Sequence, residues 1–146
     1  MALIYLTLEQ ALETHKRSIA VSGGGTLGQR DVGQLSSVLA NIQNDVWYPT
    51  IVDKLTHLFF STNKFHCFID GNKRLAISLC AQMLLFNGYA FSGKFMLQME
   101  NHSYHVANGR IDKELLREIF NAVLNNSFDD DEELKLRIVK AIDVPD

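Results

Sequence analysis

Three things are scarce in this chain: cysteine, positive charge and long apolar runs. Its two cysteines, Cys67 and Cys80, lie in apolar runs with no secretory leader before them. They are read as free thiols of a reducing compartment rather than a disulfide framework. The opening residues, MALIYLTLEQ, lack a basic leader segment and turn amphipathic at once, so a cytoplasmic protein is expected. The formal net charge of −3 argues against bulk electrostatic binding of nucleic acid, although a local basic site stays open. The longest apolar run, residues 75–86, is broken by Ser78 and Gln82. It is too short to span a bilayer, so no membrane association is expected.

Repeats, interdomain linkers and sustained strand alternation are also missing. What remains is helical periodicity almost throughout. With 146 residues, one domain is expected, large enough to bury roughly 68–70% of its unfolded surface without a metal or disulfide staple. Thr7-Leu8-Glu9-Gln10 has the spacing of a capping box, and Leu8, Leu12, His15 and Ile19 follow on one helical face. Gly23, Gly24 and Gly25 end that helix. A second helix is expected over 32–44, with Leu35, Val38, Leu39 and Ile42 on one face. Pro49 suits the first turn of a third helix that ends near Lys64. A fourth, over 72–87, is apolar most of the way round and belongs in the middle of a bundle. Asn87-Gly88 stops it. Residues 89–91 look extended, and 94–101 form a fifth helix. Asp112 caps a helix carrying Leu115, Leu116, Ile119, Phe120 and Val123. After the acidic run Asp129, Asp130, Asp131, Glu132 and Glu133, residues 134–142 form a short last helix. The expectation is an all-α bundle of six or seven helices. Residues 1–126 form its main domain, and 127–146 an acidic extension ending in a short docking helix.

Between the two central helices stands HCFIDGNKRLA, residues 66–76. Helix starts leave about four backbone N–H groups unpaired and carry roughly half a positive charge. A ligand anion can use both if the loop lets it approach, and Gly71 removes the Cβ that would block it. Lys73 and Arg74 add two cations where a chain selected only for stability would place acids. That mismatch suits a multiply charged phosphate ligand. Asp70 would repel the phosphates unless a divalent cation lay between, so it reads as a Mg²⁺ ligand. An unperturbed imidazole is largely neutral at cytosolic pH, so a histidine at 66 suits a base that deprotonates an incoming hydroxyl. Phe68 is expected to point inward as an anchor. Each residue alone has a bland reading: a surface histidine, a common turn, a solvated basic face. Jointly, six or seven fixed positions recur by chance on the order of 10⁻⁸ to 10⁻⁹ per start.

The motif His-x-Phe-x-Asp-Gly-Asn-Lys-Arg resembles the signature of the Fic/Doc superfamily, in its Doc (death-on-curing) toxin branch. The likeness extends over about residues 4–125. It includes HKRSIAVSGGGTLGQRDVGQLSSVLAN and YPTIVDKLTHLFFSTNKFHCFIDGNKRLA, followed by LLFNGY. The resemblance implies a Fic-fold bundle that uses ATP and Mg²⁺ to modify a protein hydroxyl. It makes His66 the general base, Asp70 the metal ligand and Asn72 a phosphate-binding amide. Gly71 becomes the nest glycine, Lys73 and Arg74 the phosphate contacts, and Phe68 the buried anchor. AMP-transferring members resemble His-Pro-Phe-x-x-Gly-Asn-Gly-Arg-x-x-Arg, whereas Cys67, Lys73 and Ile77 stand at three of those positions here. In the Doc branch the nucleotide is turned so that the γ-phosphate faces the hydroxyl. A toxin that phosphorylates a Ser/Thr hydroxyl of a translation elongation factor is therefore expected. AMP transfer and a catalytically idle binding module are the alternatives.

An inhibitory Ser/Thr-x-x-x-Glu-Gly/Asn helix finds no match, so a separate antitoxin is expected, its C-terminal segment lying in a groove of the bundle. Trp47 and Tyr48, within 43–49, suit either a flap holding the target segment or plain packing. Arg30 and Asp31 suit an ion pair or the nucleotide pocket. His15 reads as a core histidine. His102 and His105 lack an acidic ligand at useful spacing and make no metal pattern.

Overall fold

Helix-forming periodicity carries through into seven α-helices and no strand in the computed structural model, which describes residues 2–21, 32–65, 72–89 and 93–143. They are α1 (Leu8–Val21), α2 (Val32–Asn41), α3 (Ile51–Phe65), α4 (Asn72–Phe86), α5 (Gly93–Ala107), α6 (Lys113–Leu124) and α7 (Glu132–Ile142). The fold is an all-α bundle of the expected class.

The helix starts follow capping chemistry. Gln10 N–H donates to Thr7 Oγ1 at 3.1 Å, and Thr7 N–H donates back to Gln10 Oε1 at 2.9 Å, the reciprocal box that the spacing called for. α3 starts from a second such box. Thr50 caps Asp53 N–H at 3.2 Å, and the Asp53 carboxylate accepts from Thr50 N–H at 3.1 Å. Pro49 thus precedes the cap instead of lying in the first turn, because Thr50 offers the side-chain oxygen that a helix start needs. Asp112 and Asp131 cap α6 and α7 by accepting from Leu115 N–H and Leu134 N–H at 2.8 and 2.9 Å. The acidic run therefore supplies one cap and, in Glu132 and Glu133, two acids of the following first turn, where the helix dipole favours them.

Two bounds depart from the sequence reading. α2 stops at Asn41 and not at 44. The Asn44 carboxamide turns the chain by accepting from Val46 N–H and Trp47 N–H at 2.9 and 3.2 Å. α5 continues past 101 to Ala107. Its buried stripe of Phe95, Met99 and Val106 is interrupted in sequence by His102 and Ser103, which are buried as well. Their polarity hides the helical period. α4 ends where expected, with Gly88 at φ +84 in the left-handed region.

α4 buries nine of its fifteen residues and lies against α1, α3 and α5. α3 is the other central helix and also meets α2 and α6. Phe59 of α3 and Phe120 of α6 meet edge to face with ring centroids 5.3 Å apart. Cys80 of α4 is buried against the Leu55 carbonyl at 3.6 Å, and burial pushes its thiol well above the usual range. α7 docks on α6 through buried Leu134 and Ile138, with Arg137 and Glu118 paired at 2.6 Å outside them.

Candidate active site

The residues that link α3 to α4 are 66–71. His66, Phe68, Asp70 and Gly71 therefore lie outside the described residues, as do Cys67, Arg30 and Asp31. What the structure describes is the frame that holds the segment. α3 ends at Phe65 and α4 begins at Asn72, at the same end of the bundle. The join is direct: Ser103 of α5 lies between Asn63 in the last turn of α3 and Lys73 in the first turn of α4. Its hydroxyl lies 2.8 Å from Asn63 Oδ1 and 3.2 Å from the Lys73 carbonyl.

The first turn of α4 carries no acidic residue. Asn72 is buried at 9% exposure, while Lys73 and Arg74 are exposed. A buried amide side chain and two solvent-facing cations thus crowd the end of a helix that already bears partial positive charge. Such a surface attracts phosphate and repels other cations. These three residues fit the polyphosphate of a nucleotide. The carboxylate that would hold a divalent cation, Asp70, belongs to the segment outside the described residues. Among the described residues, no group of three or more His, Cys, Asp or Glu is placed to hold a metal.

Arg74 also stands at one end of an open groove of about 670 Å³ between α1, α4 and α5. Arg17, Gln82, Leu85, Met96 and Leu97 line it further along. Ser78 and Gln82, the two breaks in the apolar run of α4, both face this groove. Thr14 of α1 donates to Gln82 Oε1 at 2.8 Å across it. Leu85 and Leu97 are 56% and 71% exposed, an apolar surface with no covering element among the described residues.

Trp47 and Tyr48 lie elsewhere. They precede the N-terminus of α3, whereas residues 66–71 follow its C-terminus. Fifteen residues at about 1.5 Å each separate the two ends by about 22 Å. The structure does not bring the pair together with Asn72, Lys73 and Arg74. Trp47 is 72% exposed. Tyr48 stacks on His57 of α3, centroids 4.5 Å apart, and Lys113 of α6 lies 5.4 Å from its ring centre.

Four residues that the sequence reading passed over do structural work near these places. Lys54 is 1% exposed, and its ammonium donates to the Ile42 carbonyl and to Asp45 Oδ1, both at 2.8 Å. Burial opposes the charge, but hydrogen bonding to Asp45 and Tyr5 outweighs it and raises the pKa. His57 is pushed down to about 4 by burial and by Lys113. Asn63 and Ser103 are 1% and 0% exposed. Three of the four are polar residues on apolar helical stripes: Lys54 precedes Leu58 by four, Asn63 follows Phe59 by four, and Ser103 follows Met99 by four. That spacing was the available signal. Of the other described histidines, His15 and His102 are buried and His105 is half-buried. His15 is 2% exposed. His102 is buried and pushed down to about 4 by burial and by His105. His105 is lowered by burial and by Arg110.

No helix among the described residues is long and apolar enough to cross a membrane. A model of the Fic/DOC family matches residues 5–84, more than half of the chain. No curated protein matches it.

Proposed function

The chain belongs to the Fic/DOC family, and on that premise we propose that it transfers the γ-phosphate of ATP, with Mg²⁺, to a Ser/Thr hydroxyl of a target protein. Members of the family are generally transferases that modify protein hydroxyls with ATP and Mg²⁺. One observation carries the reading: Asn72 is buried while Lys73 and Arg74 face solvent at an acid-free helix start. A helix stabilised only for itself would carry acids there. Two cations at that position suit a ligand with several negative charges.

The division of labour follows from the motif. His66 accepts the proton of the incoming hydroxyl. Asp70 would hold the metal ion, which would supply positive charge to neutralise the phosphates. Gly71 lets the phosphates approach, and Asn72, Lys73 and Arg74 bind them. Lys73 stands where AMP-transferring members have glycine. A long side chain there keeps a phosphate from passing close to the backbone and favours the turned nucleotide.

The proposed setting is a toxin–antitoxin system in the cytoplasm, with a translation elongation factor as the target. The partner would be an antitoxin whose C-terminal segment occupies the groove between α1, α4 and α5. Exposed Leu85 and Leu97 suit an apolar face of such a segment. Arg74 at the end of the groove would bring the segment up to the phosphate-binding turn, so one ligand would exclude the other.

Parallel incubations with γ-labelled and α-labelled ATP and a cell extract test the reaction. Protein label from the γ-position alone is expected. Label from the α-position alone would replace the kinase reading with AMP transfer. Growth arrest that His66→Ala leaves intact would point to an idle binding module.

A further inference from the structure

We infer that Asn63 and Ser103 form a positioning brace that holds the phosphate-binding turn of α4 in register with the end of α3. The inference rests on the nucleotide reading above and extends it to two residues outside the motif.

Both side chains are fully buried, where a polar group without partners is costly. Their hydrogen bonds are committed along one path. Asn63 Nδ2 donates to the Phe59 carbonyl at 3.0 Å, one turn back in α3. Asn63 Oδ1 accepts from Ser103 at 2.8 Å. The same hydroxyl reaches the Lys73 carbonyl at 3.2 Å, so its single proton is shared between two acceptors. Three helices are thereby tied at one point, and a side-chain path joins the described ends of α3 and α4.

The place of this tie matters more than its strength. Residues 66–71 link Phe65 to Asn72 in the sequence. The brace grips the chain two residues before the first of these and one residue after the second. It thereby sets the span that the segment must bridge. The Lys73 carbonyl also shares its peptide group with Arg74 N–H, one of the amides that helix geometry leaves without an intrahelical acceptor. A second donor on that carbonyl, beside its helical partner, polarises the peptide further and stiffens the direction of its N–H, the group an anion would meet. An apolar pair of the same size would pack the three helices equally well but would leave that carbonyl with its helical hydrogen bond alone.

The test compares MgATP affinity with thermal stability. Ser103→Ala should weaken MgATP binding about tenfold, the factor that one lost hydrogen bond sets. Ile119→Val, a core change in α6 away from the turn, should lower the melting temperature to a similar degree and leave the affinity within about twofold of wild type. Ser103→Cys keeps the size and loses most of the donor strength. It should reproduce the weakening, and it stands in if the alanine variant fails to fold. Equal MgATP affinity in wild type, Ser103→Ala and Ser103→Cys would overturn the brace while leaving the proposed function intact. A wild-type chain that binds no MgATP would overturn the proposed function and this inference with it.

Discussion

Lys113 donates a hydrogen bond to His57 Nδ1 at 2.8 Å, tying the first turn of α6 to the middle of α3. The contact requires a neutral imidazole, since a protonated ring would set two cations at that distance. Burial and the neighbouring ammonium hold the His57 pKa down to about 4, against an ordinary 6.5. Above pH 6.5 both folded and unfolded chains carry a neutral ring, and the contribution to stability is complete. Between about 6.5 and 4 the unfolded chain takes up the proton and the folded one resists, so stability falls as the pH is lowered. His102, likewise held near 4, adds to the same loss. Thermal melts at pH 7 and pH 5 should show a smaller fall for His57→Gln than for wild type. Equal falls would remove His57 from the account.

Lys73 should trade stability against binding. It is exposed in the first turn of α4, where a cation opposes the helix dipole by about 0.3–1 kcal/mol. Lys73→Glu should therefore raise the melting temperature slightly while MgATP affinity falls severalfold. Calorimetry on one preparation reads both signs. A variant that loses stability and affinity together would mean that Lys73 serves packing.

Among the described residues, the proposed function asks most of Asn72. If its amide stabilises charge that develops on the transferred group, Asn72→Ala should cost about 2.7–4 kcal/mol of barrier, or roughly a hundred- to thousandfold in rate. Asn72 is also buried, so the rate should be measured on protein whose melt is still cooperative. A loss under about tenfold in such protein would make the amide structural.

At the far end of α3, Lys54 holds the exit of α2. Its partner Asp45 is 80% exposed, so that ion pair is worth little in water. The Ile42 carbonyl is the partner that counts, because Lys54 is the buried donor that reaches it. Lys54→Met should cost about 1–3 kcal/mol, whereas Asp45→Ala should cost under about 1 kcal/mol. Denaturant unfolding separates the two, and a larger loss in the Asp45 variant would reverse the assignment.

Much of the fold was legible because helices are local. Thr7 with Gln10, Asp112 with Leu115, and Gly88 after α4 are interactions within a few residues, so the order of letters announces them. The motif was legible for a different reason. His66 to Arg74 carry their chemistry in residue type and spacing, and the family match over residues 5–84 includes them. The extent of α5 was not legible, since His102 and Ser103 hide an apolar stripe that closes only once the helix is packed. Nor was the position of Trp47 and Tyr48, which suited a flap or plain packing and which a fifteen-residue helix sets about 22 Å from its other end.

By itself, the sequence determined that the chain is helical, where most of its helices start, and which segment bears the family motif. These depend on backbone propensity, capping and side-chain type, all properties of neighbouring residues. Only the tertiary structure decided which buried polar groups meet. Lys54 finds the carbonyl of Ile42, twelve residues away, and Ser103 finds Asn63 and Lys73, forty and thirty residues away. A hydrogen bond across helices depends on how the helices are packed, and packing is set by the whole core.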